Sequence, residues 1–229
     1  MDKDKTLNNE KKIILLICGD SKTGKKTLVN NWLKEIEYKE KDYIFYKEYI
    51  FSIEEIIDEK KENILIEIRI LNSDELESDS KINSSFFKNA YGGFIINSID
   101  NEQSFLNGEK FKEKIDFMCT LRNKFPLPIF LIINKCDLFN FDNPEFDFQK
   151  ENNIEQYYLE NQFISKFYII SLDGDFEKNN NLSEINLPFI NMIKLIFQFE
   201  DIKNEFFKSS NQKINKNQNN KKGEKCVTF

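Results

Sequence analysis

Gly19-Asp20-Ser21-Lys22-Thr23-Gly24-Lys25-Lys26-Thr27, GDSKTGKKT, directly follows the apolar run Ile13 to Cys18. A glycine-bounded turn between a buried strand and a helix has the form of a phosphate-binding loop, G-x-x-x-x-G-K-[ST]. In such a loop backbone N–H groups surround the phosphates, the lysine reaches the terminal ones and the last hydroxyl holds Mg²⁺. Gly19, Gly24 and Lys25 fit this pattern, with Asp20, Ser21, Lys22 and Thr23 between the glycines, whereas Lys26 stands where the hydroxyl belongs. Thr27 is no substitute, because one step along a helix turns a side chain by ~100°.

Working outward, apolar β-branched runs alternate with stretches of helical period, the pattern of βαβ units around a largely parallel sheet. Ile13–Cys18 reads as a buried strand. Leu28, Trp32 and Ile36, with Val29 and Leu33 beside them, form an apolar stripe that predicts a helix to about Tyr38. Tyr49–Ile57 and Asn63–Leu71 flank the polar turn Asp58–Glu62 as an antiparallel hairpin. Further on, Gly93–Ile99, Ile129–Ile133 and Phe167–Ile170 read as strands, and Glu102–Lys124, Ile154–Asn161 and Ile185–Phe199 or beyond as helices. The expected fold class is α/β, with about six mostly parallel strands flanked by about five helices.

Within the 229 residues the expected organisation is a disordered start at 1–11, one domain at 12–207 and a disordered basic tail at 208–229. The net charge of −6 is uneven, since the tail carries six Lys against one Glu. The acidic body argues against nucleic-acid binding, and the basic tail for an anionic surface. His is absent, which removes histidine as general base or metal ligand. Neither a signal peptide nor an apolar run of transmembrane length is legible. Cys18, Cys119, Cys136 and Cys226 show neither zinc nor disulfide spacing, as expected in a reducing compartment. Lys178–Asn186 reads as an Asn-rich loop, and Leu138–Lys150 as a Phe-rich, acidic domain edge.

A second motif follows the strand at Ile129–Ile133. Asn134-Lys135-Cys136-Asp137, NKCD, lies at the carboxyl end of a strand, where open α/β sheets bind ligands. A carboxylate there can accept the ring N–H and exocyclic amine of guanine. Through GDSKTGKKTL and NKCDL the chain resembles the Rab branch of the Ras-like small GTPases. Ile82–Phe105 looks like the family segment from the second switch into the helix after the fourth strand. In Phe167–Gly174, FYIISLDG, Ser171 matches the Ser of the family's guanine-contacting S-A-K, with Leu172 and Asp173 in place of Ala and Lys. The resemblance implies a P-loop small-GTPase fold, a GTP/GDP cofactor held by residues 19–27, Asn134, Lys135, Asp137, Ser171 and Leu172, and effector, escort and exchange-factor partners.

The departures from the family cluster on the magnesium side. The family surrounds its metal with the P-loop hydroxyl, a Thr of the first switch and an Asp ending the third strand. Here the first is Lys26, and no Thr occurs between Leu28 and Cys119; Ser52 is the candidate hydroxyl. The family's D-T-A-G-Q falls on Ile70-Leu71-Asn72-Ser73-Asp74, which puts Asp74 at the position of the water-orienting Gln and leaves no catalytic residue assigned. Since a protonated lysine has no lone pair for a metal, weak or absent Mg²⁺ and poor hydrolysis are expected. Lys26 either supplies fixed positive charge to the β-phosphate or extends into solvent. An ordinary hydrolysing switch and a nucleotide-free adaptor are the alternatives.

The last four residues, Cys226-Val227-Thr228-Phe229, form a C-a-a-X box whose terminal Phe favours geranylgeranyl. One lipid chain binds marginally, and each tail lysine adds about 1 kcal/mol at an anionic leaflet. The expected location is the cytosolic face of a membrane, in exchange with cytosol, in the service of vesicle traffic.

Overall fold

A computed structural model describes residues 12–57, 60–71, 85–119, 126–138, 166–171, 185–204 and 206. Its strands are β1 Lys12–Cys18, β2 Tyr38–Asp42, β3 Tyr46–Ile57, β4 Lys60–Leu71, β5 Gly92–Ser98, β6 Ile129–Asn134 and β7 Lys166–Ile169. The longer helices are α1 Lys25–Trp32, α2 Glu102–Met118 and α3 Leu187–Ile196. One sheet has the order β2-β3-β4-β1-β5-β6-β7. Strands β4, β1, β5, β6 and β7 are parallel neighbours, and β2, β3 and β4 pair antiparallel. This is the mostly parallel α/β sheet expected, with one more edge strand than the sequence showed.

The central strands are apolar on both faces because helices cover both, the usual condition of a parallel sheet. Ile13, Leu15, Leu16 and Ile17 in β1 and Ile129, Leu131, Ile132 and Ile133 in β6 are fully buried. Alternation along β5 sorts the layers. Phe94 meets Trp32 of α1 at 5.3 Å between ring centroids, and Trp32 meets Phe189 of α3 at 5.0 Å, so α1 and α3 share one face. Asn97, of opposite parity, abuts Gly108 of α2 so closely that a Cβ there would lie 2.9 Å from its Oδ1. Helix α2 therefore covers the other face, through Phe105, Gly108, Phe111 and Ile115.

Several boundaries differ from the sequence reading. Helix α1 stops at Trp32 rather than near Tyr38, its end closed by the Leu33 N–H donating to Val29 O at 3.0 Å. The residues that follow turn back and form β2, with all five side chains exposed. Helix α2 stops at Met118 rather than Lys124. Cys119 takes extended backbone and is buried, its N–H bonded to Ile115 O at 2.7 Å. Helix α3 ends at Ile196, and residues 200–204 resume helical backbone after a turn. The β3–β4 hairpin is longer than expected, from Tyr46 to Leu71. The helix at 154–161, the Phe-rich edge beyond Leu138, most of the Asn-rich loop, the first eleven residues and the tail lie outside the described residues.

Candidate functional site

The loop after β1 is built on backbone that only certain residues accept. Gly19 has φ 138°, and a Cβ there would lie 2.3 Å from the carbonyl oxygen of Ile96 on β5, so glycine is required by both conformation and space. Gly24 caps α1 in left-handed backbone (φ 93°) without a side chain of its own. No side chain caps the first-turn N–H groups from that position, which suits an anion. Lys25 and Lys26 occupy the positive end of the helix dipole, an unfavourable placement that a bound phosphate would reverse. The Lys25 ammonium is buried and reaches back across the loop, donating to Gly19 O at 2.6 Å and Asp20 O at 2.5 Å. The Thr23 hydroxyl donates to Asp20 O at 2.9 Å, while Ser21, Lys22, Lys26 and Thr27 are exposed.

The NKCD segment meets this loop in space. Buried Asn134, at the end of β6, donates from Nδ2 to Thr23 O at 2.9 Å, so the two motifs are tied across 111 residues of chain. Its Oδ1 is buried and has no hydrogen-bond partner among the described residues. Lys135 has left-handed backbone (φ 63°) and pairs with Asp100 at 3.1 Å. Asp137 is exposed in a short turn, Cys136–Leu138, and its carboxylate accepts the buried Ser171 hydroxyl at 2.7 Å. Leu172 and Asp74 lie outside the described residues.

Sequence reasoning missed two supporting residues on the corner from β5 into α2. Asp100 takes both the Ser98 hydroxyl and the Lys135 ammonium. Burial works against its charge, but these two hydrogen bonds outweigh that and hold its carboxyl below the usual range. Asn107 donates to the Asp20 carboxylate at 2.8 Å. The available signal was positional, since polar residues just past the carboxyl end of a parallel strand face the ligand side of the sheet. The cysteines are not candidates for chemistry, because burial pushes the thiols of Cys119 and Cys136 up to about 12 and that of Cys18 higher still.

One metal-side assignment is corrected by strand register. Ser52 pairs with Leu65, which pairs with Lys12 at the start of β1. Leu65 precedes Ile70, the partner of Ile17, by five residues, so Ser52 lies roughly 17 Å of strand away from the P-loop end. It is not brought to the loop. Ile70, which offers a metal no ligand, is fully buried and paired with Ile17 and Lys47, one residue before β4 ends at Leu71 as expected. Among the described residues no three His, Cys, Asp or Glu side chains gather as a metal site.

A sequence model of the Ras family matches residues 12–184. The chain belongs to the Ras family. Ras-related protein Rab-7L1 from Homo sapiens is similar to it, 23% identical over 141 residues, which is 60% of this chain and 68% of that protein. The same protein from Pongo abelii matches to the same extent. Ras-family membership implies guanine-nucleotide binding, and within the family the chain is similar to these Rab proteins. The geometry fits that ligand. A glycine cradle opens at a helix N-terminus, an exposed carboxylate is oriented by a buried hydroxyl, and a buried amide oxygen is left open between them. The described residues fit the family's Mg²⁺ less well, because lysine replaces its hydroxyl ligand and Ser52 is remote.

Proposed function

We propose that this Ras-family chain is a membrane-associated, guanine-nucleotide-binding switch or scaffold in which hydrolysis is slow or absent. The observation that carries the nucleotide half is the Ser171–Asp137 hydrogen bond at 2.7 Å. It holds an exposed acceptor pair where a base with adjacent N–H donors would sit, on the same sheet end as the Gly19–Lys25 cradle. Lys25 serves the terminal phosphates, the α1 N-terminus supplies N–H donors, and Asn134 fixes the spacing between the two halves. Mg²⁺, when bound in such sites, neutralises charge between the β- and γ-phosphates. Here the residue at its hydroxyl ligand is a cation, which supports a site that relies on lysine charge instead.

Denaturing the purified protein and identifying the released small molecule tests the reading, with GDP or GTP expected. Asp137→Asn should weaken guanine nucleotides and favour xanthine ones, because an amide donates where the carboxylate accepted and such mismatches discriminate strongly. Equal GDP binding by both forms would refute the base assignment.

The rival reading is an ordinary hydrolysing switch, to which the sequence offers one group, since Asn72 follows directly on Leu71 and an amide oxygen is a competent ligand for a hard cation or its water. Chelation separates the two readings. If lysine charge replaces the metal, EDTA leaves the off-rate of a fluorescent GDP analogue within about twofold, and unassisted hydrolysis falls below the ~10⁻⁴ s⁻¹ of a Ras-type site. A large acceleration of release by EDTA would establish the ordinary switch.

A further inference from the structure

The loop that receives phosphates in this chain contains a carboxylate, and its neighbours are arranged around that problem. The backbone of Asp20 belongs to the cradle, its carbonyl oxygen accepting both the Lys25 ammonium at 2.5 Å and the Thr23 hydroxyl at 2.9 Å. An aspartate so placed sets like charge beside a polyphosphate, in a half-buried position where the repulsion is screened less than in water. Its Oδ2, however, accepts the Nδ2 of Asn107 at 2.8 Å, from α2. The orientation of that amide is fixed from behind. Asn107 Oδ1 accepts Gln103 Nε2 and Lys110 Nζ, each at 3.3 Å, from the turns before and after it on the same helix. With two donors on its oxygen, the amide presents N–H to Asp20, and the Lys110 charge stands behind it.

We infer that Asn107 is a positioning residue for nucleotide binding: it engages the Asp20 carboxylate from α2 and, backed by Lys110, keeps that charge from opposing the nucleotide phosphates. The inference rests on the guanine-nucleotide reading and adds to it a residue outside both motifs. Asp20 makes this device necessary. The function of Asn107 is thus tied to the charge of one partner, which distinguishes it from a residue that merely packs α2.

Equilibrium titration of the full chain with a fluorescent GDP analogue tests this through a cycle of variants. Asn107→Ala should weaken binding about tenfold, the scale of one hydrogen bond to a charged group. Asn107→Asp should weaken it further, because two carboxylates then face each other, and the loss should shrink between ~0.05 and ~0.5 M salt. Adding Asp20→Asn to either variant should recover most of the lost affinity. Binding by both Asn107 variants equal to wild type would overturn the inference, as would a loss that Asp20→Asn fails to rescue, which would mark Asn107 as structural only. Absence of GDP binding by the wild type would bring down the nucleotide reading and this inference together, a result distinct from either of the others.

Discussion

Lys22 and Lys135 both hold left-handed backbone, φ 62° and 63°, one in each loop of the nucleotide site. For a side chain with a Cβ this conformation costs about 1–2 kcal/mol, which the surrounding contacts must offset. At Lys135 the contact is visible: its ammonium pairs with Asp100, itself held by Ser98. The depressed carboxyl of Asp100 gives the pair a pH signature. A carboxylate whose folded value lies below its unfolded one adds stability that is present above the unfolded value, about pH 4, and is lost as the pH falls through the folded value. The stability difference between wild type and Asp100→Asn should therefore be steady from about pH 5 to 7 and vanish on acidification below about pH 4, as read by urea denaturation at each pH. A difference unchanged at low pH would remove the ion pair as its source. The spellings of the two motifs were legible in the sequence, but not the left-handed lysines, since lysine carries no local preference for that conformation.

Among the elements, β4 carries an ion cluster that the hydrophobic pattern could not show. Arg69 donates from Nε to Glu67 at 2.5 Å and from Nη1 to the carbonyls of Ser85, Phe86 and Lys88, each at 2.9 Å. Glu67, fully buried, also pairs with Lys12 on β1, and nearby Glu48 has its carboxyl raised by burial and by the Glu67 charge. This cluster pins residues 85–88 to the sheet face that α2 covers. Breaking a buried pair by removing one partner leaves an uncompensated charge, so Arg69→Met should cost about 3–5 kcal/mol in urea unfolding. The double change Glu67→Leu with Arg69→Met should cost much less, because no charge is then stranded. Equal losses would show that packing, not charge, dominates there. A related limit of sequence reading explains β2: Tyr38-Lys-Glu-Lys-Asp42 has no alternation, and only pairing with β3 makes it a strand. The stripe Leu28–Ile36 is apolar as expected, but the helix ends at Trp32 rather than near Tyr38, because Ile36 joins the core from a turn.

At the scale of the molecule, the nucleotide loop and Phe206 lie at opposite ends of the sheet. The P-loop follows the carboxyl end of β1, whereas Phe206, the last residue described, packs edge-on against Tyr91 at 5.7 Å, just before parallel β5 begins. On the proposed function, Cys226→Ser should move the chain from the membrane pellet to the soluble fraction, and replacing Lys213, Lys216, Lys221, Lys222 and Lys225 with Gln should weaken attachment even with the lipid present. Unaltered fractionation of the Ser variant would rule out the lipid anchor. By itself the sequence determined the α/β class, the central strands and the two loops of the site, because those rest on local chemistry: apolar period, glycine where backbone must approach backbone, and short motifs at strand ends. The tertiary structure alone decided the edge strand β2, the ends of α1 and α2, the remoteness of Ser52, the burial of Ile70, and the assembly of Asn107 with Asp20 and of Asp100 with Lys135. The β2 pairing, the placement of Ser52 and Ile70 and the two side-chain pairs depend on strand register or on contact between residues 35 or more apart in the chain, and no local preference encodes such a pairing.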